Sequence, residues 1–224
     1  MLETLIPNWE RAGDEVIMAV WATLQMVGIA GLISFVLGTT FGVLLVVAKK
    51  GGILENLLIY NLLDKAINGI RAVPFLILMI LLIPVSRAVV GTGFGVAGAI
   101  IPLVVGTTPF FARQIESAIA ELDSGLVEAS LAMGMSPIEI IFSVYLRESV
   151  PSIVRVTQIT AINLVALAAF AGATIGAGGL GDIAFRLGHQ HNNPDLLWIA
   201  VIIIMIIVSI IQGFGNIIIK LMTR

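Results

Sequence analysis

The chain has 224 residues, of which 58% are hydrophobic and only 12% are charged, and its mean hydropathy is +1.08. Soluble domains carry about 25% charged residues, so this composition excludes an ordinary soluble protein. The net charge of −2 gives no reason to expect a nucleic-acid partner, and a chain without cysteine forms neither a disulfide nor a thiolate metal site.

Residues 1–15 are predicted to form an external N-terminal segment ahead of the first membrane span. They are acidic and lack the basic region that opens a signal peptide, and the apolar stretch behind them is too long for one. We therefore expect the first span to be retained.

Four long stretches contain no charged residue, and crossing the hydrocarbon core as a helix takes about 20 residues. These stretches are 16–48, 88–112, 156–181 and 196–219. A fifth span is predicted at 66–86, where 72–86 is apolar and extends backwards if Arg71 lies at the interface. The sequence therefore predicts an all-α integral membrane protein with about five transmembrane helices, in a single domain over 16–219.

The segment before the second span leaves two interpretations open. Residues 54–70 form either an interfacial helix that precedes a short span or the beginning of one tilted span. Small residues recur every four positions in three runs: Ser34, Gly38 and Gly42; Gly91, Gly95 and Ala99; and Ala168, Gly172 and Gly176. Small residues at this spacing let helices approach closely in lipid, although glycine is also simply common in membrane helices.

The basic residues favour one orientation, because Lys and Arg are enriched in cytoplasmic loops. With five spans, Arg11, Arg87 and Arg186 fall on one side of the membrane and all other basic residues fall on the opposite side. We therefore predict an external N-terminus and a cytoplasmic tail at 220–224. The cytoplasmic basic residues are Lys49, Lys50, Lys65, Arg71, Arg113, Arg147, Arg155, Lys220 and Arg224.

The cytoplasmic region 113–155 contains signals of two helices. Ser136 supplies a hydroxyl N-cap, Pro137 occupies the first helical position, and Glu139 completes a capping box. Gly134 is well placed as the left-handed residue that ends a preceding helix. That helix would begin at residue 124 or 125 and end at Met133, and it is too short to be stable alone in water. We therefore expect the rest of the chain or a partner to hold it.

The same region resembles a known signature. Residues 128–130 (Glu-Ala-Ser), three residues, Gly134, nine residues and residues 144–146 (Val-Tyr-Leu) resemble the "EAA" signature of ABC-importer permeases. That signature reads Glu-Ala-Ala, three residues, Gly, nine residues, Ile, one residue and Leu-Pro. The spacing from glutamate to glycine is intact, and Arg147 in place of proline is the one large change. The alternative is a solvated loop with incidental spacing.

Three further stretches, 69–84, 91–119 and 172–183, look like the small five-span permease of methionine-import ABC systems. The resemblance implies a type I importer permease fold whose short helix before the glycine, the coupling helix, docks in a groove of an ATP-hydrolysing subunit. The ATPase-coupling residues it implies are Glu128, Ala129, Ser130, Met133, Gly134, Ser136 and Pro137.

The resemblance also implies partners and a location. We expect a homodimer in the bacterial inner membrane with two cytoplasmic ABC ATPase subunits, an external substrate-binding protein and a small amino-acid substrate, with methionine as the first candidate. ATP and Mg would be bound by the partner subunits, and no cofactor is expected on this chain. Another small amino acid or related solute is the alternative substrate, and the stereoisomer stays open.

The fourth span is the most polar. At about 100° per residue, five of its side chains fall within an arc of about 80°: Thr160, Asn163, Leu167, Phe170 and Thr174. Polar groups that face lipid are costly, so we hypothesise that this face lines the translocation path. In a two-fold dimer the two copies would meet across the axis, with Phe170 as an apolar plug. A helix–helix contact with interhelical hydrogen bonds is the alternative.

Two matches to Gly-x-Gly-x-x-Gly, at 93–98 and 176–181, do not indicate nucleotide binding because neither follows a predicted strand. The second match instead predicts a sharp turn of the backbone at the outer face. The glycines of this external turn are Gly176, Gly178, Gly179 and Gly181. No Gly-x-x-x-x-Gly-Lys-Ser/Thr loop for ATP occurs in the chain.

His189 and His191 are predicted to lie in a solvated external loop over 182–195, where a substrate-delivering protein could touch. No third metal ligand is evident, so no metal site is expected. No nucleophile–base arrangement appears either, so this chain is not expected to be an enzyme.

Two other classes of membrane protein fit the sequence less well. An ion-coupled secondary transporter normally buries acidic or histidine side chains at mid-membrane, and the four uncharged stretches contain none. The inverted repeats of such transporters are not visible. An integral membrane enzyme would need a cluster of carboxylates or histidines, and the sequence offers none.

Overall fold

The computed structural model describes residues 9–222, which are helical with no strand. Residues 1–8 of the predicted external segment and the last two residues of the predicted tail lie outside the described residues. In chain order the helices are α1 (Trp9–Ala48), α2 (Leu57–Ala72), α3 (Phe75–Val90), α4 (Gly95–Ala120), α5 (Ser124–Ala132), α6 (Pro137–Ile140), α7 (Val150–Ile175), α8 (Gly179–Asp182) and α9 (Pro194–Met222). Helices α6 and α8 continue as π-helical segments, Ile141–Leu146 and Ile183–Gln190.

Four helices of the described chain are long and apolar enough to cross a membrane, namely α1 from Ala12, α4, α7 and α9. Helices α2 and α3 add a fifth span only when they are counted together as one broken span. The expected helix at 66–86 is therefore interrupted, at Val73 and Pro74. Proline has no N–H to continue a helix and holds the preceding residue in an extended conformation. Val73 has the φ of −81° and ψ of 124° that this restriction produces.

Two more expected spans have different bounds in the structure, and in each of them a glycine with positive φ sets one end. The span expected at 88–112 begins as helix α4 only at Gly95, because Gly91 (φ +81°) ends α3 and a short turn follows. The span expected at 156–181 begins earlier, at Val150, and stops at Ile175, because Gly176 has a φ of +61°.

The described residues divide into two compact units. The first unit comprises the residues up to Ile33, Pro74–Gly106 and Ala161–Gln212. The second unit comprises Ser34–Val73, Thr107–Thr160 and the residues from Gly213 onward.

The first unit has two buried apolar clusters. One cluster joins α1, α3, α4 and α7 through Met26, Met79, Leu103 and Leu164. The other joins α1, α8 and α9 through Val16, Leu180 and Leu196. The second cluster holds α8, a helix of only one turn, against α1 and α9.

In the second unit, α1 and α4 pack at close range where Gly38 and Gly42 face the neighbouring helix. A Cβ added at Gly38 would lie 2.6 Å from the ring of Phe111, and one added at Gly42 would lie 2.6 Å from Cβ of Ile115. Real Cβ atoms do not approach so closely, so no larger residue fits without a shift. The close approach predicted for this repeat of small residues is confirmed.

Helix α2 is attached to α4 within the second unit by charged and polar side chains. Arg113 of α4 donates hydrogen bonds to Asp64 and Asn68 of α2, and to Glu116 at 2.7 Å. Ile67 of α2 is buried in the same contact. Leu57–Ala72 therefore forms a helix of 16 residues that is separate from α3, which also has 16 residues. That α2 is an interfacial helix stays a prediction.

Candidate functional site

Helix α5 begins and ends at residues suited to those positions. Asp123 is the N-cap, and its side chain accepts a hydrogen bond of 2.9 Å from the N–H of Gly125. At the other end the N–H of Gly134 donates to Leu131 O, and the N–H of Met135 donates to Ser130 O. This pair of bonds is the Schellman motif, and its left-handed position falls on Gly134 with a φ of +82°. The predicted helix end is confirmed.

The exposed face of α5 is mostly apolar and carries one charged side chain. Ser130 is buried, and its hydroxyl donates to Leu126 O at 2.7 Å. By contrast, Leu131 is 48% exposed and Met133 is 74% exposed. Glu128, one turn earlier in the helix, is also exposed. A nine-residue helix with exposed apolar side chains has little to stabilise it in water. This surface is therefore suited to contact with another protein.

The helix after Gly134 starts with the predicted capping box. The hydroxyl oxygen of Ser136 accepts the N–H of Glu139 at 3.4 Å, and the Glu139 carboxylate accepts the N–H of Ser136 at 2.7 Å. The bond from the backbone N–H of Ser136 to the carboxylate lowers the pKa of Glu139, and the side chain of Ser136 lowers it further. Pro137 lies at the start of the helix as expected.

The end of the signature is anchored in the second unit. Val144 and Tyr145 are buried together with Ile140 in the cluster that includes Phe111. Burial raises the pKa of Tyr145. The sequence analysis did not predict that Ile141–Leu146 is π-helical. The signature is thus buried at its end, at Val144 and Tyr145, whereas α5 is exposed.

The polar face of α7 is unevenly exposed along its length. Thr160 is buried, Asn163 and Leu167 are half-buried, and Phe170 and Thr174 are exposed. Both threonine hydroxyls bond to carbonyl oxygens of their own helix, Thr160 to Val156 O at 2.8 Å and Thr174 to Phe170 O at 2.7 Å. A threonine that satisfies its donor in this way needs no partner from another helix.

Two side chains of α3 contact the exposed end of this face. The ring of Phe75 lies against Phe170, and Sδ of Met79 lies 4.0 Å from the hydroxyl of Thr174. Sequence reasoning missed both residues. The signal that could have found Phe75 is its place directly after Pro74, where a new helix must begin.

Three of the four glycines at the end of α7 have conformations that favour glycine. Gly176, Gly178 and Gly179 have φ values of +61°, +75° and +80°. Gly181 is required for a different reason, since a Cβ there would lie 1.7 Å from the carbonyl oxygen of Ala169. The backbone therefore turns directly back onto the helix it has just left.

Two contacts hold this turn in place. The hydroxyl of Thr23 on α1 accepts the N–H of Leu180 at 2.9 Å, which satisfies a donor at the start of α8. The N–H of Gly95 donates to Gly176 O at 3.3 Å. Both partners are distant in sequence, and the predictions did not include them.

The prediction of a loop over 182–195 is wrong for most of this segment. Residues 183–190 are π-helical, and only a short turn with Asn192 at a φ of +56° precedes α9. Ile183 and Leu187 are buried on one side of the segment, which gives the chain a reason to be helical here. His189 and His191 are exposed, and the described residues contain no group of three His, Cys, Asp or Glu placed to hold a metal ion.

A charged cluster joins the start of α1 to this helical segment. Arg186 donates to both carboxylate oxygens of Asp182, with distances of 2.8 to 3.1 Å, and to Glu15 at 3.2 Å. These bonds, of which the one to Asp182 is the larger cause, raise the pKa of Arg186. The three side chains border a cavity of about 210 Å³. The predictions did not include the cluster, because no local pattern connects Glu15 with a residue so far along the chain.

The chain is similar to known permeases over nearly its whole length. Residues 38–224 match the family described as binding-protein-dependent transport system inner membrane component. The probable D-methionine transport system permease protein MetI of Vibrio cholerae is 44% identical over 96% of each chain. The methionine import system permease protein MetP of Bacillus subtilis is 39% identical over the full length of both. A solved structure of the MetNI methionine ABC transporter in an inward-facing conformation has a TM-score of 0.92 and 39% identity, over 96% of this chain and 99% of that chain.

Proposed function

The chain belongs to the family of binding-protein-dependent transport system inner membrane components, and we propose that it is the permease of an ATP-driven ABC importer of methionine. The observation that carries this proposal is the similarity over the full length of a methionine import permease together with a TM-score of 0.92 to a methionine ABC transporter. The chain is a multi-pass membrane protein, and ATP hydrolysis falls to a separate subunit.

In this proposal two copies of the chain form the pore, and two ATPase subunits bind them from the cytoplasm. An external binding protein delivers the amino acid to the outer face. The N-terminus is then external and the C-terminus cytoplasmic, as the distribution of basic residues favours. ATP stabilises one arrangement of the ATPases, and differential binding passes this bias to the membrane helices.

Helix α5 is the element through which the permease would be moved. Its exposed Leu131, Met133 and Glu128 would enter a groove of the ATPase, while Ser130 and the cap at Gly134 keep the helix on the permease. Ala129 is exposed beside them, and Ser136 and Pro137 start the helix that carries the movement onward. Exposed apolar side chains on a helix that is too short to stand alone support this role.

The face of α7 would line the translocation path. The exposed end of this face, at Phe170 and Thr174, supports the position of a gate, and the open part of the path would begin beyond the buried Thr160. The glycine turn at 176–181 and the helical segment that follows it would lie at the outer face, where the binding protein docks.

Reconstitution tests the transport function and the substrate separately. The permease is reconstituted with its ATPase and binding protein in liposomes, and ATP turnover is measured with the binding protein loaded with L-methionine, D-methionine or another amino acid. We expect methionine-loaded binding protein to raise ATP turnover. Stimulation only by another amino acid would keep the importer and exclude methionine, whereas no stimulation by any loaded binding protein would contradict the importer.

Single-cysteine crosslinking tests the coupling helix, because the given sequence has no cysteine and the introduced residue is its one thiol. We expect Glu128→Cys and Met133→Cys to crosslink to the ATPase subunit. Asn192→Cys, which is exposed in the turn before α9 and external in this proposal, is the matched control and should not react with it. Crosslinking from Asn192 but not from Glu128 would reverse the orientation.

A further inference from the structure

A cavity in the first unit combines charges of both signs with an apolar wall. Its volume is about 210 Å³, which is below the roughly 300–1,000 Å³ of pockets that hold drug-sized ligands. A ligand that fills it is therefore no larger than a single amino acid. The residues that line the cavity are Glu15, Met18, Ala19, Ala22, Gly178, Gly179, Asp182, Ile183 and Arg186.

The charged side of the cavity has binding capacity beyond its internal ion pairs. Arg186 bonds to Asp182 and Glu15 through Nε and Nη2, and Nη1 takes no part in those bonds. A guanidinium has five N–H donors, so the two on Nη1 suit a carboxylate. Among the residues that line the cavity, two carboxylates outnumber one guanidinium, and the side chain of Glu15, which accepts a hydrogen bond from Arg186 at 3.2 Å, is 47% exposed. An incoming ammonium group would compensate this excess negative charge.

The apolar part of the cavity wall lies on α1, next to Glu15 on the same helix. Met18 is 63% exposed, and Ala19 and Ala22 lie beside it on the same helix. The methionine side chain is flexible and polarizable, so it adapts to an apolar side chain of irregular shape. The two alanines leave the space into which that side chain would extend.

We propose that this cavity is a binding subsite for an α-amino acid with an unbranched apolar side chain. The carboxylate of the ligand contacts Arg186, its ammonium contacts Glu15, and its side chain packs on Met18 and Ala22. The proposal rests on the proposed transport function and adds a position at which the released amino acid first contacts the permease. The cavity is close in sequence to the proposed path, because Gly178 of the cavity wall comes four residues after Thr174.

The test matches each charged side chain with the ligand group that it contacts. Equilibrium binding of L-methionine, its methyl ester and N-acetyl-L-methionine is measured on the purified permease–ATPase complex without binding protein. We expect Glu15→Gln to weaken methionine binding by about tenfold or more, as expected for a lost charged hydrogen bond, and to leave the weak binding of the N-acetyl compound unchanged. We expect Arg186→Gln to weaken methionine binding similarly and to leave the methyl ester unchanged.

Two controls keep the test independent of folding. Arg87→Gln removes another arginine of the same unit, one that packs over the ring of Phe94 instead of lining the cavity, and should not change methionine binding. Arg186→Lys, which keeps the charge, should bind methionine better than Arg186→Gln, and it replaces the glutamine variant if that one does not fold.

Either of two outcomes overturns the subsite. One is the absence of methionine binding by the unaltered complex, and the other is an equal loss of all three ligands in both variants, as a purely structural role of the cluster would produce. Stimulation of ATP turnover by methionine-loaded binding protein is measured on the unaltered complex in parallel. If that stimulation is present, the proposed function stands while the subsite fails.

Discussion

The rings of Phe75 and Phe170 lie with their centroids 6.2 Å apart and their planes tilted by 57°. Phe75 is the first residue of α3, directly after the break at Pro74, and Phe170 is 40% exposed on α7. Aromatic pairs of this kind contribute about 0.5–1.5 kcal/mol beyond the area that they bury. The contact therefore orients a ring that would otherwise be free to move between rotamers.

Phe170→Ala should open the proposed gate. Loss of the ring removes both the apolar plug and its contact with Phe75, so we expect reconstituted vesicles to leak methionine or to hydrolyse ATP without transport. The measurement is methionine efflux from loaded liposomes, together with the ratio of ATP hydrolysed to methionine moved.

Phe35→Ala is the matched control for that experiment. Phe35 is 41% exposed and has a ring neighbour, Phe111, at 5.7 Å, but it belongs to α1 and not to the polar face of α7. We expect this variant to stay coupled. Tight coupling in Phe170→Ala as well would place the gate at another residue.

Gly134→Ala should weaken the end of the coupling helix without any steric clash. No atom lies within 4 Å of a Cβ at this position, but its φ of +82° costs an L-residue about 1–2 kcal/mol. We expect lower stimulation of ATP turnover by the loaded binding protein. The control is Gly213→Ala in the same unit, which also has open space but a helical backbone, and it should leave the activity unchanged. Equal effects of the two variants would contradict the role of the cap.

Gly42→Ala should destabilise the packing of α1 on α4. The added Cβ would meet Ile115 at 2.6 Å and the carbonyl oxygen of Ala112 at 2.7 Å. Overpacking of this kind costs about 1–3 kcal/mol, and the unfolding temperature of the purified permease should fall. Gly28→Ala, on the same helix with nothing within 4 Å, should not lower it. An unchanged temperature for Gly42→Ala would mean that the two helices separate without cost.

The capping box at Ser136 should lose stability in acid. The folded-state pKa of Glu139 is lowered by its hydrogen bonds to Ser136. The ionised carboxylate therefore stabilises the folded state fully at pH values above the ordinary glutamate pKa of about 4.3. The contribution is lost as the pH falls through the lowered value. Amide exchange over residues 136–146 should be slower in the unaltered chain than in Glu139→Gln at pH 7, and the difference should shrink towards pH 3.5. A difference that does not depend on pH would contradict the role of the carboxylate charge.

The features that the sequence predicted well depend on residues close together in the chain. The capping box at 136–139 and the left-handed Gly134 each involve a few neighbouring residues, and both were confirmed. The number of spans follows from stretches of apolar residues, which are also local. The close packing at Gly42 could be predicted because a repeat of four places small residues on one helix face.

The features that were missed depend on long-range contacts or on single breaks. Val73 is apolar and looks like part of a span, and only the restriction imposed by Pro74 ends the helix there. Residues 183–190 look polar enough for a loop, but burial of Ile183 and Leu187 makes the segment helical. Glu15 and Arg186 could not be paired without the fold. Tertiary contacts decided the conformation in each of these cases.

The close approach at Gly181 has a consequence for movement during the transport cycle. Its backbone lies so near the carbonyl oxygen of Ala169 that neither segment can slide past the other without separating first. The last turns of α7 and the segment from Gly179 to Asp182 should therefore travel together as a rigid body. Any hinge that is used in the transport cycle then has to lie outside these two segments.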